Sequence, residues 1–507
     1  MAKVDQYGRW IFGILLLWMV LDRAYMVWIT MPYASDDLTV IWLATSDYAQ
    51  GIFHEPFFYG QDYGVMLEAM LATPMVMLGG DPVRVIPIMI GLLAIAPFAA
   101  FAIHYHRRGD QLAAILFITM PLLLPVQHGL QTTALNGIAI IACYPWLARI
   151  GSTPLRSVLV ALVLGIAVFV NPNALVVALP LGLYDLFTCK ERVRTLVGHT
   201  IGLVIVFGIW FACRSFYAER PEGIVNTIFD WRLHFKPYMI PQAMEVANHH
   251  FAWMCPLTAT RSSVVLLLLV FAAMILFAQR NFQVVIPVCC ALLLILFSFS
   301  FAKLHDGSDS IFFPLSRMFI GVPLLLAWAL AHVHTSADLQ RGLIVGISTL
   351  VLANGIIRIS TAQDTFELEL ADQEGLPLRT RPIQHIRTAC GTVAEVAAHI
   401  DCDNIILLRG NDPFTAQFLA YATPVLIPAS PRTWMVGHDR RAFQRIGLVS
   451  LPAGHCLVVG GTTEEWNRWM EQDPMITDHS TSSFIMHAVD GHNRSIAEMM
   501  GLFGASS

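Results

Sequence analysis

The chain has 507 residues, 56% of them hydrophobic and only 13% charged, and its mean hydropathy is +0.60. That composition places most of its length in a membrane. A net charge of −5 supplies no basic footprint, which excludes nucleic acid as a partner class.

Lys3 and Arg9 precede an apolar stretch over 10–29. The stretch is too long for the hydrophobic region of a cleavable signal and has no small-x-small site, so it reads as a signal anchor with its N-terminus in the cytosol. Further apolar runs of spanning length lie at 85–103, 111–126, 133–148, 155–170, 174–188, 195–213, 263–279, 283–301, 317–333 and 341–357. The segment 65–78 contains Glu68 and Pro74 and is short for a crossing. Treating it as an interfacial or re-entrant helix puts Arg107-Arg108, Arg149 with Arg156, Lys190-Arg192-Arg194, Arg280 and Arg341 in the cytosol. That is the arrangement the positive-inside rule favours. The count is then about eleven spans, a reading that follows from that rule.

This topology puts the loops 30–84 and 214–262 outside, together with everything from 358 to 507. The last segment mixes strand-like runs at Asn404–Leu408, Pro424–Ile427 and Cys456–Val459 with helix-like stretches at Val393–His399, Pro413–Tyr421 and Glu464–Glu471. Such alternation predicts a small extracytoplasmic α/β domain behind a membrane module of residues 1–357. Val459-Gly460-Gly461-Thr462 reads as a strand-to-helix turn without the full glycine spacing of a nucleotide site. Asn171-Pro172-Asn173 reads as a tight turn before a helix.

Chemistry gathers in the first outer loop, which opens with Ser35-Asp36-Asp37. Adjacent carboxylates at a bilayer surface cost desolvation and mutual repulsion, so they are seldom placed there without a use. Either could deprotonate an acceptor hydroxyl or amine. The alternative role is capping, with Ser35 or Asp36 starting a helix over Leu38–Tyr48. Glu55, Asp62 and Glu68 share the loop, and Glu68 sits in an apolar run where an ionisable group is a site candidate, or else anchors the helix by a hydrogen bond. Phe57, Phe58, Tyr59 and Tyr63 read as an interfacial aromatic belt rather than a sugar platform, and His54 as a surface residue. Arg84, Arg214, Arg261, Lys303 and Arg317 stand at outer ends of spans, where they either snorkel to headgroups or hold a donor phosphate. Asp22-Arg23 in the first span reads as a local charge pair without a catalytic role.

Of the nine cysteines, Cys213 with Cys255, and Cys390, Cys402 and Cys456, lie where an oxidising compartment would allow pairing, though spacing assigns no partners. No Cys/His spacing resembles a zinc site. A divalent metal is compatible with the chemistry but indicated by no residue set, so no cofactor is assigned.

Asp36-Asp37, Ala44, the Phe57–Tyr63 stretch with Gly60 and Gly64, Glu68, and Gly79-Gly80 followed by Arg84 resemble a known first-loop pattern. It is similar to that of the GT-C glycosyltransferases that use dolichol- or polyprenyl-phosphate sugars, a group including protein O-mannosyltransferases and bacterial lipid A aminoarabinose transferases. The resemblance implies interfacial helices in the first loop, Asp36 as the catalytic carboxylate and Asp37 in place of the usual Glu. It also implies an Arg near the start of a late span, a place that Arg317 occupies. Asp62, Tyr63, Glu68, Arg84, Arg317 and Lys303 are the expected substrate-binding residues.

The expected protein is a multi-pass glycosyltransferase of a bacterial inner membrane. Its partners would be a polyprenyl-phosphate sugar, a lipid, glycan or protein acceptor, and membrane lipids. A transporter or flippase of a lipid-linked saccharide is the rival. It should show paired halves, broken helices and charges buried within spans, whereas the sequence gathers its charges at the outer surface.

Overall fold

A computed structural model of the chain describes residues 2–59, 63–123, 132–218, 235–250, 261–300, 303–305, 308–310, 316–372, 380–408, 413–436, 450–472 and 476–504. Its contacts separate two compact units. One comprises 1–29, 88–212 and 228–368; the other comprises 30–87, 213–227 and 369–507.

The first unit is helical. Its apolar runs form the helices Ala2–Thr30, Pro82–Arg107, Thr153–Val170, Leu175–Thr188, Arg192–Ala218, Ser262–Ala278, Phe282–Ser298 and Ala337–Asp372. Five stretches, within the first, second, third, fifth and last of these, are long and apolar enough to cross a membrane. Where two runs were expected to be continuous, proline divides them. Helix Gln111–Thr119 gives way to a 3-10 turn opening at Pro121. The run over 133–148 becomes Thr132–Ile140, a 3-10 turn and Tyr144–Leu147. Pro145 has no N–H for the carbonyl of Ile141, which Tyr144 N–H takes instead in a tighter turn. The Asn171 side chain accepts from Asn173 N–H at 3.0 Å, making the expected turn into helix Leu175–Thr188.

Close approach between helices is set by small residues. A Cβ added at Gly198 would meet Ser157 Cβ at 2.7 Å, and one at Gly202 would meet both Ala161 Cβ and the Val158 carbonyl at 2.7 Å. Glycine at this i, i+4 spacing therefore lets helix Arg192–Ala218 lie against Thr153–Val170. A polar clamp joins the same region: Asp185 accepts from Arg156 at 3.1 Å and from His199 at 3.0 Å.

The charges of the first helix pair differently from the local arrangement expected. Asp22 lies 3.3 Å from Arg358 of helix Ala337–Asp372, and both are buried. Arg358 also donates to the Leu122 carbonyl. Arg23 is buried beside them. Charge is thus buried within two helices that are long and apolar enough to cross a membrane.

The second unit holds a five-stranded sheet of order β6-β5-β7-β9-β8, comprising β5 Asn404–Leu407, β6 Arg432–Met435, β7 Pro452–Val459, β8 Thr477–Asp478 and β9 Met486–Ser495. β5 runs parallel to β6 and β7, while β9 is antiparallel to β7 and β8. All four β5 residues are buried, as a covered parallel strand requires. Helices Ile383–His399, Pro413–Leu426 and Thr463–Gln472 match the expected helical stretches. Gly460 and Gly461 take positive φ at the turn after β7. The helix that follows starts with a capping box, Glu465 N–H on Thr462 Oγ1 and Thr462 N–H on Glu465 Oε2.

The run Pro424–Ile427 is not a strand. Residues through Leu426 continue the preceding helix, and the neighbouring strand is β6. Pro424 is tolerated because the Ala420 carbonyl, which it cannot serve, accepts instead from Thr433 Oγ1 of β6 at 2.8 Å. Cys390, Cys402 and Cys456 are buried free thiols rather than disulfide partners. Burial pushes the Cys402 thiol up to about 11 and that of Cys456 up to about 12. Cys213 is also free, and Cys255 lies outside the described residues.

Candidate functional site

The acidic first-loop segment belongs to the second unit, where its backbone is fixed from both sides. β1, Tyr33–Ser35, pairs antiparallel with β4, Thr380–Pro382, setting Ser35 opposite Thr380 and Ala34 opposite Arg381. Ile383 N–H donates to the Pro32 carbonyl at 2.8 Å. Helix Asp36–Ala49 begins at once, and its cap is Ser35, whose Oγ accepts from Leu38 N–H at 3.2 Å. The capping role therefore falls to Ser35 and to neither aspartate. Both carboxylates occupy the first turn, where the helix dipole favours negative charge. Asp36 is 2% exposed, whereas Asp37 is half-buried.

Along the same helix, Asp47 stands eleven positions after Asp36, close to three full turns, so both fall on one face. Sequence reasoning missed Asp47; the shared helical face was the available signal. Its Oδ2 accepts from the Tyr59 hydroxyl at 3.0 Å and lies 3.3 Å from His54 Nε2. His54 is thus a half-buried partner of a carboxylate, not the expected surface residue. Glu55 is buried and accepts from the Tyr217 hydroxyl at 3.2 Å, while that hydroxyl accepts from Phe57 N–H. Glu68 is fully buried in the first turn of helix Leu67–Met77.

These carboxylates converge electrostatically on Tyr48. Burial raises its pKa, and the charges of Glu55, Asp47 and Glu68 raise it further. Tyr59 is raised by burial and then by Asp47. Both phenols therefore stay protonated hydrogen-bond donors.

The aromatic stretch differs from the expected belt. Phe57, Phe58 and Tyr59 are buried, and Phe57 stacks on Tyr217 with ring centroids 5.8 Å apart. Their rings fill the unit's interior because Tyr217 and Asp47 supply partners for the polar groups there. Tyr63 remains exposed.

The expected cations are divided between the two units. Arg84 is exposed at the start of helix Pro82–Arg107, 4.0 Å from Asp81. Arg214 and Arg261 are also exposed. Lys303 lies in β2, Lys303–His305, which pairs antiparallel with β3, Ser308–Ser310, and Arg317 in the 3-10 turn Ser316–Gly321, all in the first unit. Asp62 lies outside the described residues. Arg381, which β4 sets two positions before Asp36 in register, carried no sequence signal because a three-residue strand has no pattern to read.

A separate cavity of about 600 Å³ opens in the first unit, lined by Arg108, Asp110, Arg156, Asp185, Tyr184 and His332 among others. It contains none of the expected site residues.

The described residues combine a helical unit, with helices long and apolar enough to cross a membrane, and a unit built on a small sheet. The fold is similar to the crystal structure of ArnT from Cupriavidus metallidurans in the apo state. The TM-score is 0.57, covering 94% of this chain and 98% of that one at 11% sequence identity. No protein-family model matches the chain, and no curated protein sequence matches it. At this identity the likeness is one of fold.

Proposed function

We propose that the chain is a membrane glycosyltransferase that moves a sugar from a polyprenyl-phosphate donor to an extracytoplasmic acceptor, with Asp36 as general base. The observation that carries this reading is the placement of Asp36: a buried carboxylate, relieved of capping by Ser35, at the head of a helix in an ArnT-like fold. An acceptor oxygen would attack the sugar's anomeric carbon and invert it as the bond to the lipid phosphate breaks. The acceptor's proton would pass to Asp36 and the electron pair to the departing polyprenyl phosphate. Asp37 would flank the reaction, Glu68 and Tyr63 would contact substrate, and Arg84, Arg317 and Lys303 would neutralise the leaving phosphate. The protein would lie in a bacterial inner membrane, N-terminus in the cytosol, with residues 358–507 on the far side near the acceptor.

Comparing lipid-linked and envelope glycans in cells with and without the protein tests the proposal. A transferase predicts accumulated polyprenyl-phosphate sugar together with one missing decoration.

The second reading is a flippase of a lipid-linked saccharide. The buried Asp22–Arg358 pair and neighbouring Arg23 favour it, since such groups mark substrate pathways as well as structure. Protein in vesicles separates the two. A transferase converts donor and acceptor to glycoside plus free polyprenyl phosphate, whereas a flippase moves intact donor between leaflets.

A further inference from the structure

The C-terminal sheet carries a second group of ligating side chains. Antiparallel pairing of β7 and β9 sets His455 directly opposite Asp490. His492 lies two residues beyond Asp490, and the period-two geometry of a strand returns its side chain to the same face. One ligand atom from each of His455, Asp490 and His492 lies within 4.8 Å of the others. The two imidazoles meet edge to face, with ring centroids 5.7 Å apart. His455 Nδ1 is screened from solvent yet has no hydrogen-bond partner among the described residues. Such an atom calls for an explanation.

We propose that His455, Asp490 and His492 bind one divalent transition-metal ion of the zinc class, with water completing its shell. Two imidazoles and one carboxylate suit such an ion, whereas magnesium and calcium prefer all-oxygen sets. Bonds of about 2.0–2.2 Å in tetrahedral geometry place ligand atoms roughly 3.3 Å apart, within the spacing observed. Asp490 Oδ1 lies 2.5 Å from His492 Nδ1 and accepts from His492 N–H at 2.9 Å. An ion bound through His492 Nδ1 uses that nitrogen's lone pair, so the neutral imidazole carries its proton on Nε2, and the Nδ1···Oδ1 contact gives way to two bonds to the ion. The backbone N–H bond remains to orient the carboxylate.

The scaffold behind the third ligand is fixed. His455 N–H donates to Asp403 Oδ2 at 3.0 Å, and Asp403 N–H donates to the His455 carbonyl at 2.8 Å. Gly454 has φ +60°, and a Cβ there would collide with the Asp403 carboxylate, so only glycine fits this turn. An ion held here ties β7 to β9 and stabilises the sheet by mass action.

The test uses the full-length chain in detergent, stripped of metal and titrated with Co²⁺ and then Zn²⁺. The expected result is one equivalent of cobalt with visible d–d absorption, bleached by zinc and indifferent to magnesium, accompanied by a rise in Tm. Asp490 and His492 are exposed, so Asp490→Asn and His492→Ala should fold normally. Each of these variants, and His455→Ala, should weaken binding at least about tenfold. His385→Ala, on an exposed helical surface, should change nothing. The assignment is overturned by a wild-type protein that forms no absorbing cobalt complex. It is equally overturned if the absorption and the Tm rise persist in the His455→Ala/His492→Ala double variant.

Discussion

Asp22 and Arg358 meet at 3.3 Å although they lie near opposite ends of the helical unit's sequence. The pair ties the first helix to the last, and Gly355 presses on Trp18 one turn away. Removing one partner leaves an uncompensated buried charge. Asp22→Asn should therefore destabilise by about 3–5 kcal/mol, whereas the double replacement Asp22→Leu/Arg358→Met should cost far less. Unfolding in mixed micelles measures both; equal losses would show that the pair does not act as a unit.

Asp36→Asn separates base from scaffold. Ser35 supplies the cap, so Tm should be unchanged and donor binding retained, while turnover falls by about 10²–10⁴-fold. Asp37→Asn should cost less, because its side chain is only half-buried. A dead Asp37→Asn beside an active Asp36→Asn would reassign the base. Full turnover in both would remove the mechanism.

For the phosphate-binding cations, Arg84→Gln and Arg317→Gln should each raise the donor requirement. A lost charge-assisted contact is worth about 1.5–3 kcal/mol, or roughly 10–150-fold in donor KM. Arg84 is exposed and 4.0 Å from Asp81, which leaves its guanidinium accessible for such a contact. Unchanged donor dependence in both variants would exclude them from the site.

The sheet should be acid-sensitive through His487. Burial lowers its pKa, outweighing the opposing pull of Asp478, and its ring stacks on Trp466 with centroids 3.9 Å apart. The folded form therefore holds the imidazole neutral, while the unfolded chain takes up a proton below about pH 6.5. Stability present above that pH should be lost as pH falls toward the lowered folded value. Trp466 fluorescence during unfolding at pH 7 and pH 5 measures this, and His487→Phe should flatten the difference.

The sequence by itself determined the class. Apolar runs long enough to span a bilayer must become helices, because a lipid interior offers no water to backbone groups. Ser35-Asp36-Asp37 marked a helix start with carboxylates in its first turn, since capping chemistry is local. Strands β5 and β7 were legible as short apolar runs between turn signals. What lay beyond its reach was every relation fixed by distant partners. Asp22 turned from its neighbour to Arg358, Phe57 was buried by Tyr217, and Pro424 stayed helical because Thr433 took the carbonyl it could not serve. His455 and Asp490 became neighbours only through the β7–β9 register. A side chain's role depends on what stands across from it, and tertiary packing alone brings such partners together.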